Sequence, residues 1–234
     1  MTKMRFLFLC VLLAVAAYCG LTIYPVVLFS SKYDYKNLTL YTHDPLTKSP
    51  DRLLSDIYAK ISADDFYDPG QNFEVYLTGS YKEYSFLAPF CRKEFACVHP
   101  INSKVFVVSA DIDKNISYGP TGAGMGRVLE SVIVHEIVKA QIKNKVGVLS
   151  YFGMSDWRKE GYAEHVAMET GHLNPAAFCS GDGTDPAIPY LKNRLIVEML
   201  RVEDEIRYPA LIEENYSHED VLSRVERKYC GKKL

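Results

Sequence analysis

Between Phe6 and Ser31 the sequence carries no charged residue. An uncharged run of that length does not belong on a solvated surface. An excess of basic charge is also missing, since 27 Lys and Arg stand against 29 Asp and Glu. Setting aside Lys3 and Arg5, ahead of the uncharged run, leaves 25 basic residues and a net charge of −4. No basic patch breaks that balance, so nucleic acid is not an expected partner. No internal repeat is visible. The glycine-rich stretch from Gly119 to Gly126 has no Gly-Lys-Ser/Thr after it, which favours a flexible loop over a phosphate cradle. The cysteines lack the spacing of a zinc ribbon.

What is present is ordinary for a folded domain: 48% apolar and 24% charged residues. About 200 residues follow the uncharged run, enough for one domain with a core of its own. As a helix, Phe6 to Tyr24 would be about 29 Å long and could cross a bilayer. The core of a signal peptide is usually about 7–15 residues. Residues 1–31 therefore read as an uncleaved membrane anchor. A cleaved signal is one alternative and lipidation at Cys19 a second, although Tyr18 is too large for a good lipobox. The basic Thr2-Lys3-Met4-Arg5 favours a cytoplasmic N-terminus, although Lys32 and Lys36 follow closely. Each reading places the domain outside the cytoplasm.

Cysteine usage agrees. Cys91, Cys97, Cys179 and Cys230 are an even set with three possible pairings, expected to be oxidised in an exported domain. Asn37-Leu38-Thr39, Asn115-Ile116-Ser117 and Asn215-Tyr216-Ser217 fit the glycosylation pattern, which matters only in a eukaryotic host.

Residues 32–48 are polar and aromatic and read as a tether, leaving 49–234 as the domain. Ser49-Pro50-Asp51 reads as a helix start, continued by Leu53, Leu54, Ile57, Tyr58 and Ile61 at helical spacing. Phe73 to Thr78 alternates like a strand, and Val105 to Val108 reads as a second. Tyr81 to Pro100 looks like loop. A turn-rich loop spans Gly181 to Pro189 and a strong amphipathic helix spans Tyr190 to Leu200. Ser217 caps a last helix that runs through Tyr229. Strands early and helices late make an α+β fold with segregated elements.

One helix is apolar on nearly every face: Val128, Leu129, Val132, Ile133, Val134, Ile137, Val138 and Ile142. Such a helix is normally buried. It nevertheless carries His135, Glu136 and Lys139, three groups that are costly to bury. Gly147 ends it, and Lys143 and Lys145 suit its C-terminal dipole. A second segment, Trp157-Arg158-Lys159-Glu160-Gly161-Tyr162-Ala163-Glu164, follows after a short loop.

The pair of segments resembles the gluzincin branch of the zincin zinc metallopeptidases, most strongly from Gly126 to Thr170. In that family His-Glu-x-x-His grips zinc with two imidazoles one helical turn apart, and the Glu activates a zinc-bound water. A Glu before Gly on the following helix is the third ligand. The resemblance implies His135 and Glu160 as metal ligands, Glu136 as general base, and Glu164 as a carboxylate that orients His135. It implies a small mixed or antiparallel sheet, then the active-site helix, then C-terminal helices. The departure is Lys139, in the second histidine position. A protonated lysine has no lone pair for zinc. Deprotonating it at neutral pH would cost about 4–5 kcal/mol. The favoured expectation is an inactive pseudopeptidase, without a cofactor, that binds a peptide or protein partner. An active zinc peptidase and a structural envelope protein are the alternatives. Lys139 is expected to stand in for the metal, within ion-pair reach of Glu160. His165 and His172 point well away from the face of Glu160 on a regular helix and are not expected to replace the missing ligand.

Overall fold

The computed structural model describes residues 2–120, 126–180, 185–213 and 216–231. Helix α1 (Thr2–Ile23) has apolar side chains on all faces, among them Phe6, Leu7, Phe8, Leu12 and Leu13, and leaves them exposed. Its segment Lys3–Ile23 is long and apolar enough to cross a membrane or to serve as a signal sequence. A short 3-10 turn leads to Phe29, whose ring stacks on His43.

The stretch expected as a tether is instead the first hairpin of the sheet. β1 (Ser31–Tyr35) pairs antiparallel with β2 (Leu38–Thr42), and Lys36 turns the chain with φ 55°. The physical reason lies in alternation: Leu38 and Leu40 are fully buried while the residues of β1 alternate between half-buried and exposed. Half-buried edge strands rich in tyrosine resemble a polar linker in composition. β2 runs parallel to β3 (Phe73–Leu77), and the crossover between them is α2 (Asp51–Ser62). α2 packs Leu53, Leu54, Ile57 and Ile61 into the core, as its spacing predicts.

Tyr81 to Pro100 is more ordered than its composition suggests. Ser80 accepts from the Glu83 amide and caps α3 (Tyr81–Leu87), which buries Tyr84 and Leu87. Cys91 is bonded to Cys97, and β4 (Ala96–Val98) adds antiparallel to β5 (Val105–Val107). The five-stranded mixed sheet has the order β1-β2-β3-β5-β4, with β4 at one edge. A second, three-stranded antiparallel sheet was not foreseen. It consists of β6 (Ser109–Asp111), β7 (Ile116–Tyr118) and β8 (Arg127–Val128). Strands this short leave no periodicity to read. Most of the glycine-rich stretch after Pro120, part of the Gly181 loop and Asn215 lie outside the described residues.

β8 feeds directly into α4 (Leu129–Val146), buried on every face through most of its length and closed by Gly147 at φ 84°. Lys143 stands in the last turn, as expected, and is buried there: it is 2% exposed and donates to the carbonyls of His99 and Pro100. Burial pushes its ammonium down to about 8. α5 (Val148–Gly153) and α6 (Asp156–Ala167) follow, then α7 (Ile188–Glu198), α8 (Tyr208–Glu213) and α9 (His218–Cys230). α6 lies between α4 and α7. Cys179 and Cys230 are bonded, tying α9 to the turn before α7. The chain is thus a mixed α+β protein with its sheet ahead of its helical half.

Asp64, just past α2, holds α6 through the Tyr162 hydroxyl, which donates to its carboxylate. Burial raises the Asp64 carboxyl to about 6, outweighing the hydrogen bonds from Tyr162 and the Phe66 amide. Its unfolded value is 3.8, so the folded chain keeps this proton longer. The stability Asp64 contributes is complete below about pH 4 and lost as pH rises through about 6, a loss of order 3 kcal/mol. Denaturation midpoints at pH 4, 5, 6 and 7 should therefore show Asp64→Asn gaining on the native sequence as pH rises. A pH-independent difference would contradict this.

Candidate functional site

On α4, His135 and Lys139 are one turn apart and share a face. Glu136 lies one residue round the helix. α6 crosses this face and presents Glu160 and Glu164, again one turn apart. Gly161, between them, is where α6 touches α7: a Cβ built there would come 2.5 Å from the Asn193 carbonyl oxygen. The glycine is thus a packing requirement that sets the depth of Glu160 against His135.

The structure brings all five sequence-predicted residues together. His135 Nε2 lies 3.0 Å from Glu160 Oε2. Lys139 Nζ lies 3.3 Å from Glu160 Oε1 and donates to Glu136 Oε1 at 3.1 Å. That distance meets the expected ion-pair reach to Glu160. The second oxygen of Glu136 is also engaged, accepting from the Val98 amide of edge strand β4 at 2.8 Å. On the far side of the ring, His135 Nδ1 faces Glu164 Oε2 at 3.5 Å.

A sixth residue, Glu169, was not read from the sequence. α6 ends at Met168, which turns left-handed with φ 56°, and the chain folds back so that Glu169 Oε2 comes within 3.8 Å of His135 Nδ1. Five residues beyond Glu164, it has no helical spacing that would have placed it there. Arg127 on β8 pairs with it, Nη1 to Oε1 at 2.9 Å, and lies over the rings of Phe95 and Tyr190. Tyr190 in turn meets the His135 ring edge-on. His165 lies elsewhere, half-buried with Nδ1 3.7 Å from Glu198, and His172 lines the wall of a neighbouring cavity.

The electrostatics follow from burial against neighbours. For Lys139, burial alone would lower the ammonium, but the charges of Glu136 and Glu160 overcome it and hold the group well above its ordinary value. His135 behaves alike: burial opposes the charged ring, and Glu160 and Glu164 raise it regardless. Glu160 is held well below the carboxylate range, because Lys139 and His135 overcome the burial that would raise it. Burial likewise favours the neutral form of Glu164, yet His135 and Thr170 lower it. Glu169 shifts the other way, since burial outweighs His135 and Arg127.

Zinc does not fit on the Nε2 side of His135. The donors there are one imidazole and Glu160, and a charged ammonium occupies the place of a third ligand. Beside this cluster is a cavity of about 250 Å³, and Phe95, Arg127, Glu169 and Tyr190 line both it and a neighbouring one of about 570 Å³. The sequence matches none of the protein-family models, and a comparison with curated proteins finds no match.

Replacing Gly161 by Ala should force α6 off α7 and cost about 1–3 kcal/mol, the range for overpacking a close contact. Urea denaturation of the two proteins would measure it; equal stability would mean that the helices are free to separate there.

Proposed function

We propose that this chain is an exported, membrane-anchored pseudopeptidase with a zincin-like layout, whose cleft binds a peptide or protein without cutting it. The observation that carries this reading is the position of the Lys139 ammonium between Glu136 and Glu160. A hydrolase of this kind needs a metal-bound water and a carboxylate free to take its proton. Here the cation is the lysine itself, and both oxygens of Glu136 are committed, one to Lys139 and one to the Val98 amide. Neither requirement is met.

The arrangement around the site supports the family reading. A mixed sheet precedes α4, its antiparallel edge strand β4 borders the cluster, and α6 delivers Glu160 to His135. The apolar N-terminal helix and the two disulfides support export with an anchor. The larger cavity, walled by Phe95, Pro120, Ala187 and Tyr190, offers the apolar lining with a few polar groups that a peptide side chain requires.

The full chain in detergent should show no hydrolysis of unfolded protein substrates, with or without added zinc. Lys139→His should bring zinc binding to the Nε2 side, with a rise in melting temperature on zinc addition beyond that of the native sequence, an increment that Glu160→Gln removes. Zinc-dependent hydrolysis by the native sequence, abolished by Glu136→Gln, would overturn the reading.

A further inference from the structure

Lys139 fills the Nε2 side of His135; the Nδ1 side is built differently. His135 Nδ1 makes no hydrogen bond, and neither does Glu164 Oε2. Both side chains are buried, at 5% and 0% exposure, and the two atoms face each other at 3.5 Å. Glu169 Oε2 stands 3.8 Å from the same nitrogen. The three ligand atoms lie within 4.8 Å of one another.

Each carboxylate is fixed by its other oxygen. Glu164 Oε1 accepts from the Thr170 amide at 2.5 Å and from the Thr170 hydroxyl at 2.7 Å. Glu169 Oε1 accepts from Arg127 at 2.9 Å. The remaining oxygens are thereby aimed at the ring nitrogen. Donors around a tetrahedral ion with bonds of about 2.0–2.2 Å stand about 3.4 Å apart, close to the spacing of Nδ1 and Glu164. Glu160 meanwhile supports the opposite nitrogen, as an orienting carboxylate does for a histidine that ligates a metal. Glu169 also lines both cavities, from which a water would complete a four-coordinate shell.

We infer that His135 Nδ1, Glu164 and Glu169 form a site for a divalent transition-metal ion of the zinc class, on the ring nitrogen opposite the lysine. One imidazole and two carboxylates suit zinc or cobalt, whereas calcium and magnesium require six or more oxygens. On binding, the ion takes the place of a proton on Nδ1, which leaves to solvent, while Nε2 keeps its proton and donates it to Glu160. The ion would tie α4 to the turn after α6. This inference does not rest on the pseudopeptidase reading, since it involves neither Lys139 nor a peptide.

The full chain in detergent, stripped with a chelator, should be titrated with Zn²⁺ by calorimetry and with Co²⁺ by visible absorption. The result expected is one ion per chain, with the intense absorption of four-coordinate cobalt, and no response to Mg²⁺ or Ca²⁺. Glu164→Gln and Glu169→Gln should each abolish binding, while Glu160→Gln weakens it by about 10–100-fold, as loss of an orienting carboxylate does. Near-ultraviolet circular dichroism of each variant would separate loss of the site from loss of the fold. Absence of binding to the native chain would overturn the inference and leave the Lys139 reading standing. Binding abolished by Glu160→Gln but kept in folded Glu164→Gln would place the ion on the Nε2 side and overturn both.

Discussion

A charged cluster on a buried helix must be neutralised where it lies, and the centre of this protein is arranged around that constraint. α4 is surrounded by the sheet, α2 and α6, so the charges of His135, Glu136 and Lys139 have little water to turn to. Removing one partner from such a cluster leaves an uncompensated buried charge, a far larger penalty than losing a surface ion pair. Lys139 meets the constraint by setting one ammonium against two carboxylates. Glu160 in turn serves two cations, the lysine through Oε1 and His135 through Oε2.

The surrounding elements can be read as supports for this exchange. Gly161 allows α6 to lie close enough between α4 and α7 for Glu160 to reach. The Val98 amide takes the spare oxygen of Glu136, joining the edge of the sheet to the cluster. The left-handed turn at Met168 returns Glu169 and Thr170 to the other side of the ring, where Arg127 and the Thr170 donors hold the carboxylates. Between Glu136 and Glu160 the chain supplies its own cation, the Lys139 ammonium.

Legibility in the sequence followed the strength of the local signal. α4 stood out because charged residues interrupt an otherwise apolar helix, and α6 through the Trp157-x-x-Glu160-Gly161-x-Ala163-Glu164 pattern that follows it. α2, α7, α9, β3 and β5 were visible by periodicity and caps. β1 and β2 were mistaken for a tether because their outer faces are polar and tyrosine-rich, and only pairing with β3 buries Leu38 and Leu40. α3 and β4 were hidden in a stretch held by a disulfide rather than by a pattern. Glu169 was illegible, because its place depends on a chain reversal that spacing does not encode. Lys143 lies in the last turn of α4 as expected, but its burial was not legible: its ammonium is inside because the chain at His99 and Pro100 covers it.

The central claim is that the Lys139 ammonium and the Glu160 carboxylate stabilise the fold as a pair. A double-mutant cycle of Lys139→Met, Glu160→Gln and the combined variant, followed by denaturant unfolding of the full chain in detergent, tests it most directly. The account predicts that Lys139→Met alone costs about 3–5 kcal/mol, as for breaking a buried pair. It further predicts that the combined variant loses less than the sum of the two singles, by about 0.5–3 kcal/mol. Strict additivity, or a Lys139→Met variant as stable as the native chain, would contradict it.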